Sequence, residues 1–304
     1  MQTQRTFIDD LKYQFKHGGT GIKLLFVNIF IFILINVFIV FGRLMGTTAE
    51  ASTYGFITSI FTLNTNLGEF IRHPWGLFTS MFAHYSILHL LFNMIFLYFS
   101  SKIFVQMFNE KRLFATYLLG GLFGGVFEIL AHLLFPALQD TNQVVVGASG
   151  SIMAIFFAIA FFKPQMKVNL FGLLPVRVIF VALAFLLIDF LNLGSSDGTA
   201  HFAHLGGALL GVISVQNIYS SGNIVSKTQA LLDAFLQLFK GRNKSKLKVK
   251  KGGNARFETD EEFNARKKMK QEEIDRILDK ISKSGYESLS KKEKDYLFNQ
   301  SKNG

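Results

Sequence analysis

The sequence contains no cysteine, and only four of its 304 residues are proline. The lack of cysteine excludes disulfide bonds, thiol nucleophiles and zinc or iron–sulfur sites built on thiolates. Half of the residues are hydrophobic, 35 of them phenylalanine, and the mean hydropathy is positive. A positive mean hydropathy over this length is unusual for a soluble domain and indicates an integral membrane protein.

The formal net charge is +11 at pH 7, but the basic residues are unevenly distributed. They crowd the first 23 residues, two loops in the middle of the chain and the tail after residue 226. Nucleic-acid binding is one interpretation of such a charge, but the positive-inside bias of membrane proteins explains the distribution better. We therefore expect a lipid bilayer, and not nucleic acid, around this chain.

Six apolar segments predict an all-α, polytopic membrane protein with six transmembrane helices. They cover about residues 22–42, 86–104, 113–135, 149–163, 175–193 and 199–219. Every second connecting loop is basic, so we expect a bacterial cytoplasmic (inner) membrane protein with both termini in the cytoplasm. The first segment is longer than a signal-peptide core and is followed by Arg43, so we interpret it as a retained span.

The chain outside the spans is predicted to be helical as well. Residues 1–21 form a cytoplasmic segment before the membrane domain of residues 22–219, whose half-apolar loop at about 43–85 predicts short helices in the outer leaflet or against the bundle. Residues 220–258 predict an interfacial helix ("QALLDAFLQLF") and a basic linker attracted to anionic lipid. Residues 259–304 predict a small cytoplasmic helical hairpin, whose partner the sequence does not reveal.

Within this hairpin, the spacing of Ser290 and Glu293 predicts a capping box at the start of the second helix. Gly285 interrupts the apolar pattern of the first helix, so we expect the turn of the hairpin there.

The fourth apolar segment follows the stretch "VVVGASG" and is too short to cross a bilayer. A helix from Ser149 to Phe162 is about 21 Å long at 1.5 Å per residue, against roughly 30 Å of hydrocarbon. With its cytoplasmic end near Lys163, its N-terminus stops about 9 Å below the outer face, where non-helical backbone must be buried in protein or line a water-filled cavity. Ser149 is therefore expected at the floor of a wet cavity, at a helix N-terminus that favours negative charge.

Polar side chains of the second and sixth segments are expected at a similar depth. His204 lies about five positions into the sixth segment, and a neutral imidazole can take the proton of an attacking serine hydroxyl. His89 and Asn93 lie one turn apart on the second segment and, with the Ser149 N–H, can donate hydrogen bonds to an oxyanion. This combination predicts acyl transfer.

Small residues on the fourth and sixth segments predict close helix packing. Gly150 begins a small-residue face on the fourth segment, and Gly207 and Gly211 form Gly-x-x-x-Gly on the sixth. Small faces let two membrane helices approach closely, which would bring Ser149 within hydrogen-bond reach of His204.

The stretches "HYSILHLLFN", "GASGSIMA" and "AHLGGALLG", in this order on the second, fourth and sixth segments, resemble the three signatures of the rhomboid intramembrane serine proteases. The resemblance covers about residues 22–219. It implies a rhomboid-like six-helix bundle that cleaves transmembrane substrates with a Ser–His dyad in a water-filled cavity, without metal, ATP or another cofactor. It assigns the nucleophile to Ser149, the base to His204, and the oxyanion hole to His89 and Asn93.

Other positions match this family less well. His84 corresponds to a second family histidine near the mouth of the second segment, where we expect a polar cavity residue. Trp75-Gly76 stands where many members have Trp-Arg, and the acidic-and-glycine motif after the second segment is not clear. Met153 stands where an aromatic ring often stacks on the histidine, which leaves the orientation of His204 open.

Several polar residues have more than one interpretation. His201 is the rival of His204 for the base, and otherwise a cavity wall or substrate contact. Asp189, near the outer end of the fifth segment, either orients a histidine as in a triad or hydrates the gate. Ser151 is interpreted as a packing residue. Glu128 and His132 lie one turn apart on the third segment, so we expect them to pair.

A metal site is the remaining alternative at this position. Residue type alone would permit zinc between His84, His89, His201 and His204, but the chain has no His-Glu-x-x-His motif and such a site has no use for Asn93. We therefore predict no metal.

The sequence thus predicts an intramembrane serine endopeptidase that acts near the outer leaflet on membrane-protein substrates. The alternative is an inactive rhomboid-like scaffold that binds membrane proteins. A proton-coupled transporter is disfavoured, because no paired discontinuous helices occur in two matching halves. The natural substrate and the oligomeric state cannot be deduced from the sequence.

Overall fold

The computed structural model describes residues 6–139, 143–170, 173–195, 197–239 and 260–301. The chain divides into two compact units, Met1–Gly241 and Arg242–Gly304.

The first unit is built almost entirely from helices. In chain order they are α1 (Phe7–His17), α2 (Thr20–Leu44), α3 (Thr47–Phe61), α4 (Leu67–Arg72), α5 (Gly76–Thr79), α6 (Ile87–Met107), α7 (Glu110–Leu134), α8 (Pro136–Gln139), α9 (Ser149–Phe162), α10 (Val178–Leu191), α11 (His201–Val215) and α12 (Ile224–Phe239). Two short antiparallel strand pairs join them: β1 (Leu63–Asn64) with β2 (Val144–Val145), and β3 (Lys167–Leu170) with β4 (Leu174–Arg177).

Each of the six predicted apolar segments overlaps one helix of the structure. α2, α6 and α7 are long and apolar enough to cross a membrane, whereas α9, α10 and α11 are apolar but have only 14, 14 and 15 residues. A 14-residue helix is about 21 Å long, shorter than the hydrocarbon core of a bilayer. Membrane helices are therefore a feature of this fold, and the count of six spans stays a prediction.

Helix α9 forms the centre of the first unit. Its residues from Gly150 to Ala160 are all buried, as expected for a helix that is apolar on every side. It packs against α6, α7 and α11. Small residues set the distance between α9 and α11. A Cβ on Gly211 would lie 2.5 Å from the Ala154 carbonyl oxygen, so α11 could not approach α9 this closely with a larger residue at this position.

The loop between the first two apolar segments contains α3, α4 and α5, so the prediction of short helices there is confirmed. Trp75 donates its indole N–H to the Ser59 carbonyl oxygen (2.8 Å), which ties this loop to α3. Gly76 lies against the Thr62 backbone so closely that a Cβ would overlap the Thr62 carbonyl oxygen. The Trp75-Gly76 pair therefore anchors the loop without the arginine found in many resembling sequences.

Helix α12 packs on α7 within the first unit, although the predicted limits place it outside residues 22–219. Buried Arg112 of α7 donates to the Asn223 side-chain oxygen (3.0 Å), to the Ser214 carbonyl oxygen and to Ser226 Oγ (3.3 Å). Arg112 therefore connects the end of α11 to the start of α12. The predicted basic linker, about residues 240–256, lies outside the described residues.

The second unit is a pair of helices, α13 (Asp260–Ser284) and α14 (Lys291–Ser301). Gly285 has φ +76°, a conformation that suits glycine, and breaks the helix where predicted. The Ser290 N–H donates to Glu293 Oε2 (2.7 Å) and the Glu293 N–H donates to Ser290 Oγ (3.4 Å), so the predicted capping box is confirmed.

Candidate active site

Ser149 is the first residue of α9, and neighbouring segments hold the extended chain that leads to it. β2 pairs with β1, the Gly147 N–H donates to the Ser80 carbonyl oxygen (2.9 Å), and the Ala148 N–H donates to His84 Nε2 (3.4 Å). Gly147 has φ +124°, which a residue with a side chain rarely adopts. The non-helical backbone before α9 is thus hydrogen-bonded to protein, as its predicted depth requires.

Ser149 and His204 line the same cavity, which has a volume of about 350 Å³. His204 lies in the first turn of α11, one turn before Gly207, and a Cβ on Gly207 would overlap the Gly150 carbonyl oxygen. The closest approach of α9 and α11 therefore lies beside both residues. Within the described parts of the chain, no hydrogen bond joins the Ser149 hydroxyl to the His204 ring.

Asp189 of α10 contacts both histidines of α11. Its Oδ1 lies 2.8 Å from His204 Nδ1 and 2.8 Å from His201 Nδ1, and the residue is 4% exposed. An ionised carboxylate only accepts hydrogen bonds, so each Nδ1 must carry the hydrogen. For His204 this leaves Nε2 as the nitrogen able to accept a proton. Of the two interpretations of Asp189, the geometry favours orientation of a histidine.

His201 lies between two carboxylates. Its Nδ1 contacts Asp189 and its Nε2 lies 3.1 Å from Asp197 Oδ2. The Thr199 N–H, which donates to Asp197 Oδ1 (2.8 Å), lowers the pKa of Asp197, so this carboxyl is ionised at neutral pH. Both ring nitrogens of His201 face acceptors and must both donate, which makes this side chain an imidazolium. A cation is a poor base, so the geometry favours His204 over His201 as the base.

The two oxyanion-hole candidates of α6 lie near the start of α9. Asn93 lines the cavity, and its amide nitrogen donates to the His89 carbonyl oxygen (2.9 Å), which leaves the second N–H of the amide for another acceptor. The His89 ring covers Gly147: a Cβ on Gly147 would lie 2.8 Å from His89 Cε1. The Ser149 N–H has no hydrogen-bond acceptor among the described residues and belongs to the free first turn of α9.

His84, for which the sequence predicts a polar cavity residue, is not among the residues that line the cavity. It is fully buried, its ring centroid lies 5.0 Å from that of His89, and its Nε2 accepts the Ala148 N–H. Burial lowers the pKa of His84 to about 3, so the ring stays neutral and able to accept. The physical reason is that the chain between α5 and α6 turns this ring inward to bind the backbone before Ser149.

Two further predicted residues lie on α9. Met153 is buried and lines the cavity wall. Ser151 is fully buried against α7, where a Cβ on Gly121 would lie 2.8 Å from its hydroxyl oxygen. The structure therefore places Ser149 at the cavity and Ser151 in the packed interior.

The side chains of Asp189, His201 and His204 bring three metal-ligating atoms within 4.8 Å of one another. Ligand atoms about 2.0–2.1 Å from one tetrahedral zinc ion lie roughly 3.3 Å apart. The two separations of 2.8 Å are shorter than this and fit hydrogen bonds to a shared carboxylate oxygen. The geometry of these residues therefore suits a hydrogen-bonded cluster better than a zinc site.

Glu128 has a role that the sequence did not reveal. Its Oε2 accepts the backbone N–H of Ala203 (2.8 Å) in the first turn of α11, while its Oε1 lies 3.7 Å from His132 Nδ1. The predicted pairing with His132 is thus a longer contact. A buried carboxylate needs a hydrogen-bond donor, and the first turn of a helix has free N–H groups. The sequence does not show that Glu128 and the start of α11 lie together.

Comparisons with known proteins match two parts of the chain to two different family models. Residues 72–220 match the model of the rhomboid domain, and residues 258–303 match the model of DUF6576, a family of unknown function. RHOMBOID-like protein 12, mitochondrial, of Arabidopsis thaliana is 30% identical over 151 residues, 45% of this chain and 44% of that protein. Presenilin-associated rhomboid-like protein A, mitochondrial, of Danio rerio is 37% identical over 138 residues, 44% of this chain and 34% of that protein.

A bacterial relative is similar over more of its own length. The putative rhomboid protease YdcA of Bacillus subtilis (strain 168) is 28% identical over 152 residues, 50% of this chain and 72% of that protein. The chain spans only 44% and 34% of the length of the first two relatives.

Proposed function

The chain is a rhomboid family protein through residues 72–220, and on this premise we propose that it is a serine endopeptidase that cleaves membrane proteins inside the bilayer. One observation carries the proposal: Ser149 at the start of a short buried helix and His204 of α11 line one cavity, and His204 Nε2 has no hydrogen-bond partner among the described residues.

The proposed reaction is acyl transfer to Ser149 followed by hydrolysis. Ser149 Oγ attacks the peptide carbonyl carbon while His204 Nε2 takes the hydroxyl proton and then gives it to the leaving amine. In the proposed reaction the Ser149 N–H and the second amide N–H of Asn93 stabilise the tetrahedral oxyanion, together with His89. Water then attacks the acyl-enzyme with His204 again as base, which releases the acid and regenerates Ser149.

The proposed substrates are membrane proteins with a helix that can unwind near the outer face. A helical peptide bond is shielded because its carbonyl oxygen is hydrogen-bonded, so local unwinding must precede attack. The proposal places the domain in a bacterial cytoplasmic membrane with six spans and both termini in the cytoplasm. The basic loops between alternate apolar segments support this orientation.

The second candidate function is a rhomboid-like scaffold that binds membrane proteins without cleaving them. One observation favours it: within the described residues the Ser149 hydroxyl makes no hydrogen bond to His204. Catalytic hydrogen bonds are often long without substrate and tighten when it binds, which is why we favour the enzyme.

A fluorophosphonate probe separates the two functions, because it reacts only with an activated serine. We expect labelling of the purified chain that disappears in Ser149→Ala and remains in Ser151→Ala, since Ser151 is fully buried. A chain that is folded but unlabelled would favour the scaffold.

A further inference from the structure

One carboxylate oxygen serves two imidazole rings at the wall of the cavity. Asp189 Oδ1 lies 2.8 Å from the Nδ1 atoms of both His201 and His204. Asp189 comes from α10 and both histidines come from α11, so this oxygen also joins the two helices beside the cavity. A buried carboxylate is costly unless it is paired and hydrogen-bonded.

The hydrogen-bond partners of the two histidine rings indicate which ring nitrogens carry hydrogen. His204 donates Nδ1–H to Asp189, which leaves Nε2 as the ring nitrogen able to take the serine proton. His201 donates from both nitrogens, to Asp189 and to Asp197, and is therefore a cation. The positive His201 balances the negative Asp189, so the carboxylate stays ionised and can accept hydrogen bonds from both rings.

Other groups do not offer His204 the same support. The carboxylates among the described residues that line the cavity are Asp189 and Asp197, and Asp197 contacts His201 rather than His204. Met153 also lines the cavity, but it has neither a ring face nor a strong acceptor to hold an imidazole.

We propose that Asp189 is a positioning residue for the base, so that the site works as a serine–histidine–aspartate arrangement with His201 as the fixed counterion of the carboxylate. The proposal rests on the proposed protease function. Asp189 holds His204 in the Nδ1–H tautomer and stabilises the imidazolium that forms when Ser149 loses its proton. No covalent bond to Asp189 forms or breaks, and the proton never leaves the pair of Ser149 and His204 until it reaches the leaving amine.

Asp189→Asn tests this role, because an amide has the same size but also donates. Its N–H₂ favours the tautomer of His204 with hydrogen on Nε2, so we expect kcat to fall by roughly 10²–10⁴-fold with KM within about threefold. In this variant the cationic form of His204 also loses the negative charge that stabilises it. We therefore expect the acid limb in a plot of kcat/KM against pH to move to lower pH. Of the other titratable groups near His204, His89 on α6 and Glu128 on α7 are unchanged in this variant, and His201 on α11 keeps its contact with Asp197.

The assay uses the full chain in proteoliposomes and a single-span test substrate, with thermal stability measured in parallel. Asp189→Glu keeps the charge, and we expect it to retain at least about a tenth of the wild-type kcat and the wild-type acid limb. In Asp189→Ala, formate can enter the open cavity and replace the carboxylate, so formate but not chloride should raise kcat.

The outcomes are distinct. A folded Asp189→Asn variant with wild-type kcat and an unshifted acid limb overturns the proposal and leaves the protease function standing. If Asp189→Asn does not fold, the Asp189→Glu variant provides the test instead. An Asp189→Glu variant that has wild-type thermal stability but has lost more than about tenfold in kcat overturns the proposal. A wild-type chain that does not cleave overturns the protease function, and this inference with it.

Discussion

Gly207 of α11 lies directly on the backbone of Gly150 of α9, with no room for a side chain between them. A Cβ on Gly207 would overlap the Gly150 carbonyl oxygen and lie 2.9 Å from the Gly150 carbonyl carbon. Ser149 is the residue before Gly150, and His204 lies one turn before Gly207. This backbone contact therefore sets the distance between the two side chains of the proposed reaction.

Gly207→Ala should separate the two helices. The backbone of Gly150 cannot move aside as a flexible side chain could, so we expect a loss of about 1–3 kcal/mol in stability. A shift of roughly 1 Å at the site should lower cleavage by about 100-fold or more. The control is Gly55→Ala on α3, where a Cβ meets no atom within 4 Å. Equal thermal stability and cleavage in both variants would show that this contact does not position the site.

Arg112→Ala should weaken the connection between α11 and α12. The buried guanidinium donates to Ser214, Asn223 and Ser226, and its removal takes away all three hydrogen bonds and leaves a cavity, so we expect a loss of about 2–4 kcal/mol. The neighbouring Lys111 makes only an exposed ion pair with Asp233, and Lys111→Ala should cost about 1 kcal/mol or less. Thermal unfolding in detergent measures both, and a larger loss in Lys111→Ala would refute this assignment.

Acid should destabilise the chain partly through His84. The pKa of His84 is about 3 in the folded chain, whereas in the unfolded chain it has its ordinary value of 6.5. Between pH 3 and pH 6.5 the unfolded chain therefore binds a proton that the folded chain does not. Stability contributed by neutral His84 is complete above pH 6.5 and is lost as the pH falls, by about 1.4 kcal/mol per unit.

His84→Gln isolates this contribution, because glutamine can accept the Ala148 N–H without titrating. The melting temperature of the wild type should fall more between pH 7.5 and pH 4.5 than that of the variant. Parallel falls in the two proteins would contradict the buried, neutral state of His84.

Much of the membrane domain was predictable because its signals are local. Gly147 before Ser149 and Lys163 after Phe162 bound the short fourth helix, and the structure begins and ends α9 at Ser149 and Phe162. The capping box at Ser290 was predictable for the same reason, since both of its partners lie within four residues of sequence.

The contacts of the site were less predictable because they depend on how helices are rotated. α10 is apolar on nearly all sides, so its pattern gives no sign that Asp189 faces two histidines rather than a gate. Glu128 binds a backbone N–H of α11, a partner that no side-chain motif displays. His84 was expected at the cavity because it lies close to the start of the second apolar segment, whereas the loop before α6 folds its ring under the chain that leads to Ser149.

The most direct test of the account is cleavage of a single-span substrate by the full chain in proteoliposomes, measured for Ser149→Ala beside Ser151→Ala. Ser151 is fully buried and its hydroxyl has no hydrogen-bond partner among the described residues, so its removal should leave cleavage close to the wild type. Ser149→Ala should lower cleavage by about 10³-fold or more. Cleavage by Ser149→Ala at the wild-type rate would contradict the account.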